Sequence, residues 1–269
     1  MRLFPFAVIA LVAASPGAAQ SSPQPTIVLT IGGGVVTGHG LWSLDKQPLC
    51  LLNGSGACSG LYDTLRIARS ILPSIIIGAA GTYFPWPHAG FHAEVSYVGF
   101  PIDDSCFPLF LNPDAPNNRA QQMCDNLSSA SGTGSAISAF VGLTLRAAMR
   151  RAISPYARAS VGVVNLSHST TEVVGQFVDQ NGARERQIIN DVGGRGSSLL
   201  LGGAAGFTSP IGPGYQFRLE VRDLIASMAR VTGPANDLAI APAEKKFYHH
   251  IGLVLALDVV LERRRGRRY

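Results

Sequence analysis

The densest run of chemically capable side chains in this sequence lies in Tyr215–Arg222, and it alternates. Gln216, Arg218, Glu220 and Arg222 take every second position, while Tyr215, Phe217, Leu219 and Val221 take the others. Successive side chains on a strand leave opposite faces, so a strand here gathers the charges on one side and the apolar groups on the other. A helix makes no sense of that period. Segments with the same alternation elsewhere put Glu94, Arg146, Arg158, Asp258 and Glu262 on their polar faces. Arg146, Arg158, Arg218 and Arg222 therefore stand against Glu94, Glu220, Asp258 and Glu262, and the two sets balance. If these faces share one narrow interior, the charges are expected to pair, because a lone buried charge costs several kcal/mol. Conduction of an ion or proton along the same groups is the functional alternative, since pairing networks and working sites perturb charges alike.

Nucleophilic chemistry has one local candidate. Ser167–His168–Ser169, with Glu172 close by, holds a hydroxyl, a base and a carboxylate. A serine nucleophile needs its base within hydrogen-bond reach and a third group to orient that base. Neighbours on a strand point apart, so a polar strand end is expected here rather than a catalytic site. Metal and phosphate chemistry fare no better. His249 and His250 are adjacent, which on a strand denies them a shared ion. Asp103–Asp104–Ser105–Cys106 lacks the spaced oxygens of a calcium loop, and no Lys-Ser/Thr follows Gly32–Gly33–Gly34 to make a phosphate loop. Neither catalytic residue, metal nor cofactor is expected.

The four cysteines, Cys50, Cys58, Cys106 and Cys124, have no C-x-x-C spacing, and disulfides suit them better than zinc. Four cysteines allow three pairings. Cys50–Cys58 and Cys106–Cys124 are favoured, because each pair falls inside one polar, turn-rich stretch. Oxidation implies export, and the N-terminus supplies a route. Met1–Arg2 carries a positive charge, Leu3–Ala14 is apolar, and Ser15–Ala19 is a small-residue exit. That layout is a secretory signal peptide over residues 1–19, with the mature chain beginning near Gln20. Its apolar run is well short of the ~20 residues of a spanning helix.

Only 14% of residues are charged, with 30 glycines and 17 prolines. A soluble protein of this length carries roughly a quarter charged residues. Charge-free windows such as Ile71–Phe91 and Gly196–Phe217 are interrupted by glycine and by Pro85, Pro87, Pro210 and Pro213, a poor composition for helical spans. Backbone polar groups cannot be left bare in lipid, so a closed barrel is the remaining way to cross. The formal net charge of +5 owes much to Arg263, Arg264, Arg265, Arg267 and Arg268, in a basic tail over residues 263–269. Nothing around it looks like a nucleic-acid module, and no nucleic-acid partner is expected.

Strand-length segments of alternating character run Thr26–Thr37, Ser74–Phe84, Ala89–Phe100, Ser135–Met149, Tyr156–Val164, Ser198–Thr208, Tyr215–Arg222 and His250–Glu262. The links between them alternate long and short, with short ones at Pro85–His88, Arg150–Pro155 and Ser209–Gly214. Short periplasmic turns and long extracellular loops are the habit of outer-membrane barrels. The fold expected over residues 20–262 is therefore all-β: an eight-stranded antiparallel transmembrane β-barrel with both termini in the periplasm and the cysteines outside. Tyr83, Phe84, Trp86, Phe207, Tyr215 and Phe217 are expected at the periplasmic interface. Trp42, Tyr97, Phe100 and Tyr248 are expected at the outer one.

In this layout the chain resembles the small outer-membrane barrels of the OmpA, OmpX and OmpW type. The resemblance covers Thr26–Glu262 and includes a closing strand with Leu253, Leu255, Leu257, Val259 and Leu261 on one face. It departs where the chain runs on through Arg263–Arg268 to Tyr269, since such barrels commonly end on a terminal aromatic that the assembly machinery reads. The resemblance implies a location in the bacterial outer membrane, lipid and lipopolysaccharide around the barrel, and contact with the barrel-assembly machinery. The expected function is non-enzymatic, structural or surface-interacting, in a monomer whose interior is plugged by paired charges. A narrow channel for small or apolar solutes is the alternative, and an outer-membrane lipid acyl hydrolase a third reading.

Overall fold

The computed structural model describes residues 26–52, 58–114, 118–129, 132–147, 152–179 and 182–262. The expected signal peptide (1–19) and basic tail (263–269) lie outside the described residues. In chain order the elements are β1 (Thr26–Val36), β2 (His39–Leu52), β3 (Cys58–Ile71), β4 (Ser74–Phe84) and β5 (Ala89–Phe110). There follow α1 (Arg119–Ser129), β6 (Gly132–Arg146), β7 (Ser154–Leu166), β8 (Val173–Asp179), β9 (Gly182–Ile189), β10 (Gly196–Gly212), β11 (Tyr215–Val231) and β12 (Ala243–Glu262).

Eight strands close on themselves. β1 pairs with β4, then β5, β6, β7, β10, β11 and β12 follow in turn, and β12 returns to β1, every contact antiparallel. The outward rows are apolar: Ile27, Leu29, Ile31 and Val35 on β1; Val95 and Tyr97 on β5; Ile137, Val141, Leu143 and Leu145 on β6; Ile251, Leu253, Leu255 and Leu257 on β12. Alternate residues such as Ser96, Ser138, Glu220 and Asp258 are buried inside. A continuous apolar girdle of this kind far exceeds the few hundred Å² of exposed patch that a soluble monomer tolerates. Closure is tight where β1 meets β12: a Cβ at Gly34 would fall 2.0 Å from the carbonyl oxygen of Leu253, so only glycine fits that crossing. Among the described residues no helix is long and apolar enough to cross a membrane.

The ring corresponds to the eight alternating segments, but the expected loops hold more structure than a loop reading allows. β2 and β3 form a hairpin, and β3 pairs with the outer part of β5, Ile102–Phe110. β8 and β9 form a second hairpin against which α1 packs. Register shifts at Gly40/Trp42, Leu44/Gln47 and Cys50/Leu52 break the period of two in β2, which hides that strand from an alternation test. The disulfides join Cys50 to Cys58 and Cys106 to Cys124, with Cα–Cα distances of 5.7 and 4.8 Å.

The outer aromatic girdle needs correction. Tyr97 faces outward, but Trp42, Phe100 and Tyr248 are buried. Trp42 gives its indole N–H to the Thr170 carbonyl at 2.9 Å, and Tyr248 gives its hydroxyl to the Leu41 carbonyl at 2.6 Å. Their polar ends find partners within the outer half, where an interface would have offered water. At the turn end Tyr83, Trp86, Tyr215 and Phe217 are exposed as expected, whereas Phe84 turns inward.

Candidate functional site

Glu94 of β5 and Glu220 and Arg222 of β11 come from opposite walls, four steps apart around the ring, with Arg158 of β7 between them. Each strand presents its charge inward because that residue shares parity with the buried face. Arg158 donates to Glu94 at 3.2 Å and to Glu220 at 2.5 Å. Arg222 donates to the other oxygen of Glu94 at 2.6 Å and to Glu220 at 2.7 Å. The result is a closed loop of alternating charge, Arg158–Glu94–Arg222–Glu220, lying across the lumen. The Tyr156 hydroxyl adds a bond to Glu220 at 2.6 Å. Beside it, Arg218 pairs with Asp258 at 2.8 Å, and Thr30 donates to the second oxygen of Asp258 at 2.7 Å. The Arg218 guanidinium also lies over the Tyr156 ring at 5.0 Å.

All six charged side chains are 9% exposed or less, so their neutrality as a set decides whether the arrangement is tolerable. Three arginines meet three carboxylates, and desolvation is offset by several short bonds per charge. Two cavities of ≈ 20 Å³ flank the cluster, one against β1 and β4 and one against β10. Each has room for about one water molecule. The Nη1 of Arg218 lacks a protein partner, and Arg218 lines the first of these cavities.

Six of the eight expected charges form this cluster, and Arg146 stands apart. Arg146 sits at the last residue of β6, donates to the Pro87 carbonyl at 2.8 Å and lies 3.7 Å over the Phe84 ring, at the turn end of the barrel. Strand parity could not foresee this, because it fixes the face and not the height. The side chain of Glu262 lies outside the description. Tyr156 and Thr30 were legible as inward residues, but nothing in the sequence marked them as partners of the charges.

The outer mouth has its own polar seal. Arg69 of β3 binds both oxygens of Asp104 of β5, each at 2.6 Å, and donates to the Ser169 carbonyl at 3.2 Å. Asp104 thus serves an ion pair, and this pair escaped sequence reading because both residues fell in expected loops. Thr170 donates to the Ala229 carbonyl at 2.8 Å, tying the β7–β8 link to β11. Ser169 donates to Asp191 at 2.8 Å, and Thr171 reaches the same oxygen at 3.3 Å. Partial burial acts to raise the Asp191 carboxyl. Bonds from Ser169, the Gly194 N–H and Thr171, with Arg195 nearby, outweigh that and hold it below its ordinary pKa.

Those contacts dismantle the nucleophile candidate. Ser167 lies 2.9 Å from His168 Nδ1, but both are exposed, and Ser167 also accepts the Ser135 N–H at 2.9 Å. Ser169 is committed to Asp191. Glu172 is held by Arg195 and by Gln187. Among the described residues no carboxylate is paired with His168.

No family model and no curated protein matches the chain. Among solved structures it is similar to the outer membrane protein OprG from Pseudomonas aeruginosa, at 10% identity over 89% of this chain and 97% of that one, TM-score 0.48. It is also similar to Neisserial surface protein A, at 10% identity over 87% and 96%, TM-score 0.40. A third likeness is to the outer membrane protease OmpT from Escherichia coli, at 8% identity over 88% and 97%, TM-score 0.38. The closed ring of pairings stands independently of these matches.

Proposed function

We propose that this chain is an integral, non-enzymatic barrel of the bacterial outer membrane, closed inside by paired charges and active through its extracellular face. The observation that carries this reading is the Arg158–Glu94–Arg222–Glu220 loop across the lumen, flanked by two water-sized cavities. An eight-stranded barrel has little more interior than its own side chains fill. Opening a path past these groups would strip partners from buried charges, at several kcal/mol each. Lipid and lipopolysaccharide then surround the girdle, the barrel-assembly machinery inserts the chain, and the monomer presents the β2–β3 and β8–β9 hairpins outward.

Planar-bilayer recording tests the plug. The refolded protein is expected to give no stepwise ion current, while the triple variant Glu94→Ala, Arg158→Ala, Glu220→Ala gives small steps. Stable current steps from the unaltered protein would replace the plug with the narrow-channel reading.

A further inference from the structure

His39, the first residue of β2, and His250 of β12 are far apart in sequence, yet closure of the barrel brings them face to face at its outer rim. Their ring centroids lie 4.6 Å apart with the planes at 60°. Tyr248 stacks on His39 at 4.9 Å, and Phe100 meets His250 edge-on at 5.3 Å, so aromatic rings brace the pair. Both ring nitrogens of His39 and Nε2 of His250 are buried without a hydrogen-bond partner. His250 is only 2% exposed. Its remaining nitrogen, Nδ1, is the one that can make the ring's bond to the Thr37 backbone. With its proton on Nδ1, toward the Thr37 backbone, the ring keeps a lone pair on Nε2, the arrangement of a metal-ligating histidine.

Buried polar atoms without partners are costly and call for an occupant. We infer that His39 and His250 form a two-imidazole site for one borderline transition-metal ion, of the Cu²⁺ or Zn²⁺ class. Two imidazoles on one ion, each bonded at ~2.0–2.1 Å, bring their ring centroids to roughly 4.5–5.2 Å, which includes the observed spacing. Nitrogen donors without carboxylates select such ions over calcium or magnesium. Room for completing ligands is at hand. A cleft of ≈ 420 Å³ begins one residue beyond His39, lined there by Gly40, Leu41 and Tyr248 and farther on by residues of β3, β5 and β11. A Cβ at Gly40 would meet nothing within 4 Å, so the chain beside His39 is open on that side. In the sequence the only histidine beside His250 is His249. That residue points away and pairs with Asp223 at 2.7 Å.

The test is electron paramagnetic resonance of the detergent-refolded chain, free of any histidine tag, titrated with Cu²⁺. Expected is one site per chain with splitting from two imidazole nitrogens, weakened at least about tenfold by His39→Phe and equally by His250→Phe. His249→Phe should leave it intact. Heat-sensitive gel mobility establishes that each variant is folded, and His39→Asn and His250→Asn replace any phenylalanine variant that is not. A two-nitrogen site missing from the unaltered protein, or one surviving either substitution in a folded barrel, overturns the assignment.

Discussion

The spanning half of the barrel and the half above it share β5, β11 and β12 but are stabilised differently. Between the short turns and the outer rim, β1, β4–β7 and β10–β12 alternate an apolar outward row with an inward row of charged, polar and small residues in which Val28, Ile76, Phe140 and Val254 are interspersed, and every carboxylate of the lumen cluster meets an arginine. Above the rim, β5, β11 and β12 run on, while β2 and β3 take over beside β5 with register shifts, disulfides and a helix. Lipid enforces the first pattern, because an unpaired polar backbone or an outward charge has nowhere to go. Water above the membrane relaxes both demands, so that half holds its shape by side-chain bonds to backbone and by covalent links.

Substitutions at the two ion-pair centres should separate these regimes most widely. Glu220→Ala strips Arg158, Arg222 and Tyr156 of their shared acceptor, and should lower barrel stability by about 3–5 kcal/mol in urea unfolding from lipid vesicles. Arg69→Ala breaks a pair that is just as buried, yet its effect should stay above the rim. Expected there is a red-shifted, brighter-exposed Trp42 emission with little change in the main unfolding transition. Equal global losses from both substitutions would mean that the two halves unfold as one.

The lipid face gives a somewhat smaller effect. Leu255→Arg, midway along β12 and outward, should cost about 2–4 kcal/mol in the same unfolding measurement. An arginine at outward Phe247, above the rim, should cost well under 1 kcal/mol, as exposed surface substitutions do. Removing the Cys106–Cys124 link by a double serine substitution should cost about 2–3 kcal/mol of local stability. Hydrogen exchange should find that loss in α1 and β8 and not in the ring.

The smallest expected effect is the acid response of the β7–β8 link. The Asp191 carboxyl is held below its ordinary value of 3.8, so the folded state binds fewer protons than the unfolded one near that pH. Its contribution is therefore complete above about pH 4 and is lost as pH falls through the lower folded value. Trp42, bonded to Thr170 in the same link, reports the change: a modest emission shift below pH 4 is expected, and Asp191→Asn should remove it.

How far the sequence could be read follows the same division. Arg218, Glu220 and Arg222 announce a strand, a face and a need for partners, because a period of two survives in lipid contact. Glu94, Arg158 and Asp258 follow by parity. Arg146 shares their parity but not their height, since alternation carries no information about distance along the barrel axis. Above the rim the bulges at Gly40/Trp42 and Leu44/Gln47 shift the period, so β2 reads as a loop and Trp42 as an interfacial residue. The Arg69–Asp104 pair and the His39–His250 approach arise from long-range pairing of β3 with β5 and of β1 with β12, which no local pattern encodes.

The most direct test of the membrane barrel itself is gel mobility of the protein refolded in detergent, with and without boiling, alongside circular dichroism. Expected is a strand-type spectrum and an unboiled species that migrates apart from the boiled one, formed only when detergent or lipid is present. A protein that folds and stays soluble without either, or shows no heat-dependent shift, would contradict the barrel and return the alternating strands to a soluble β fold.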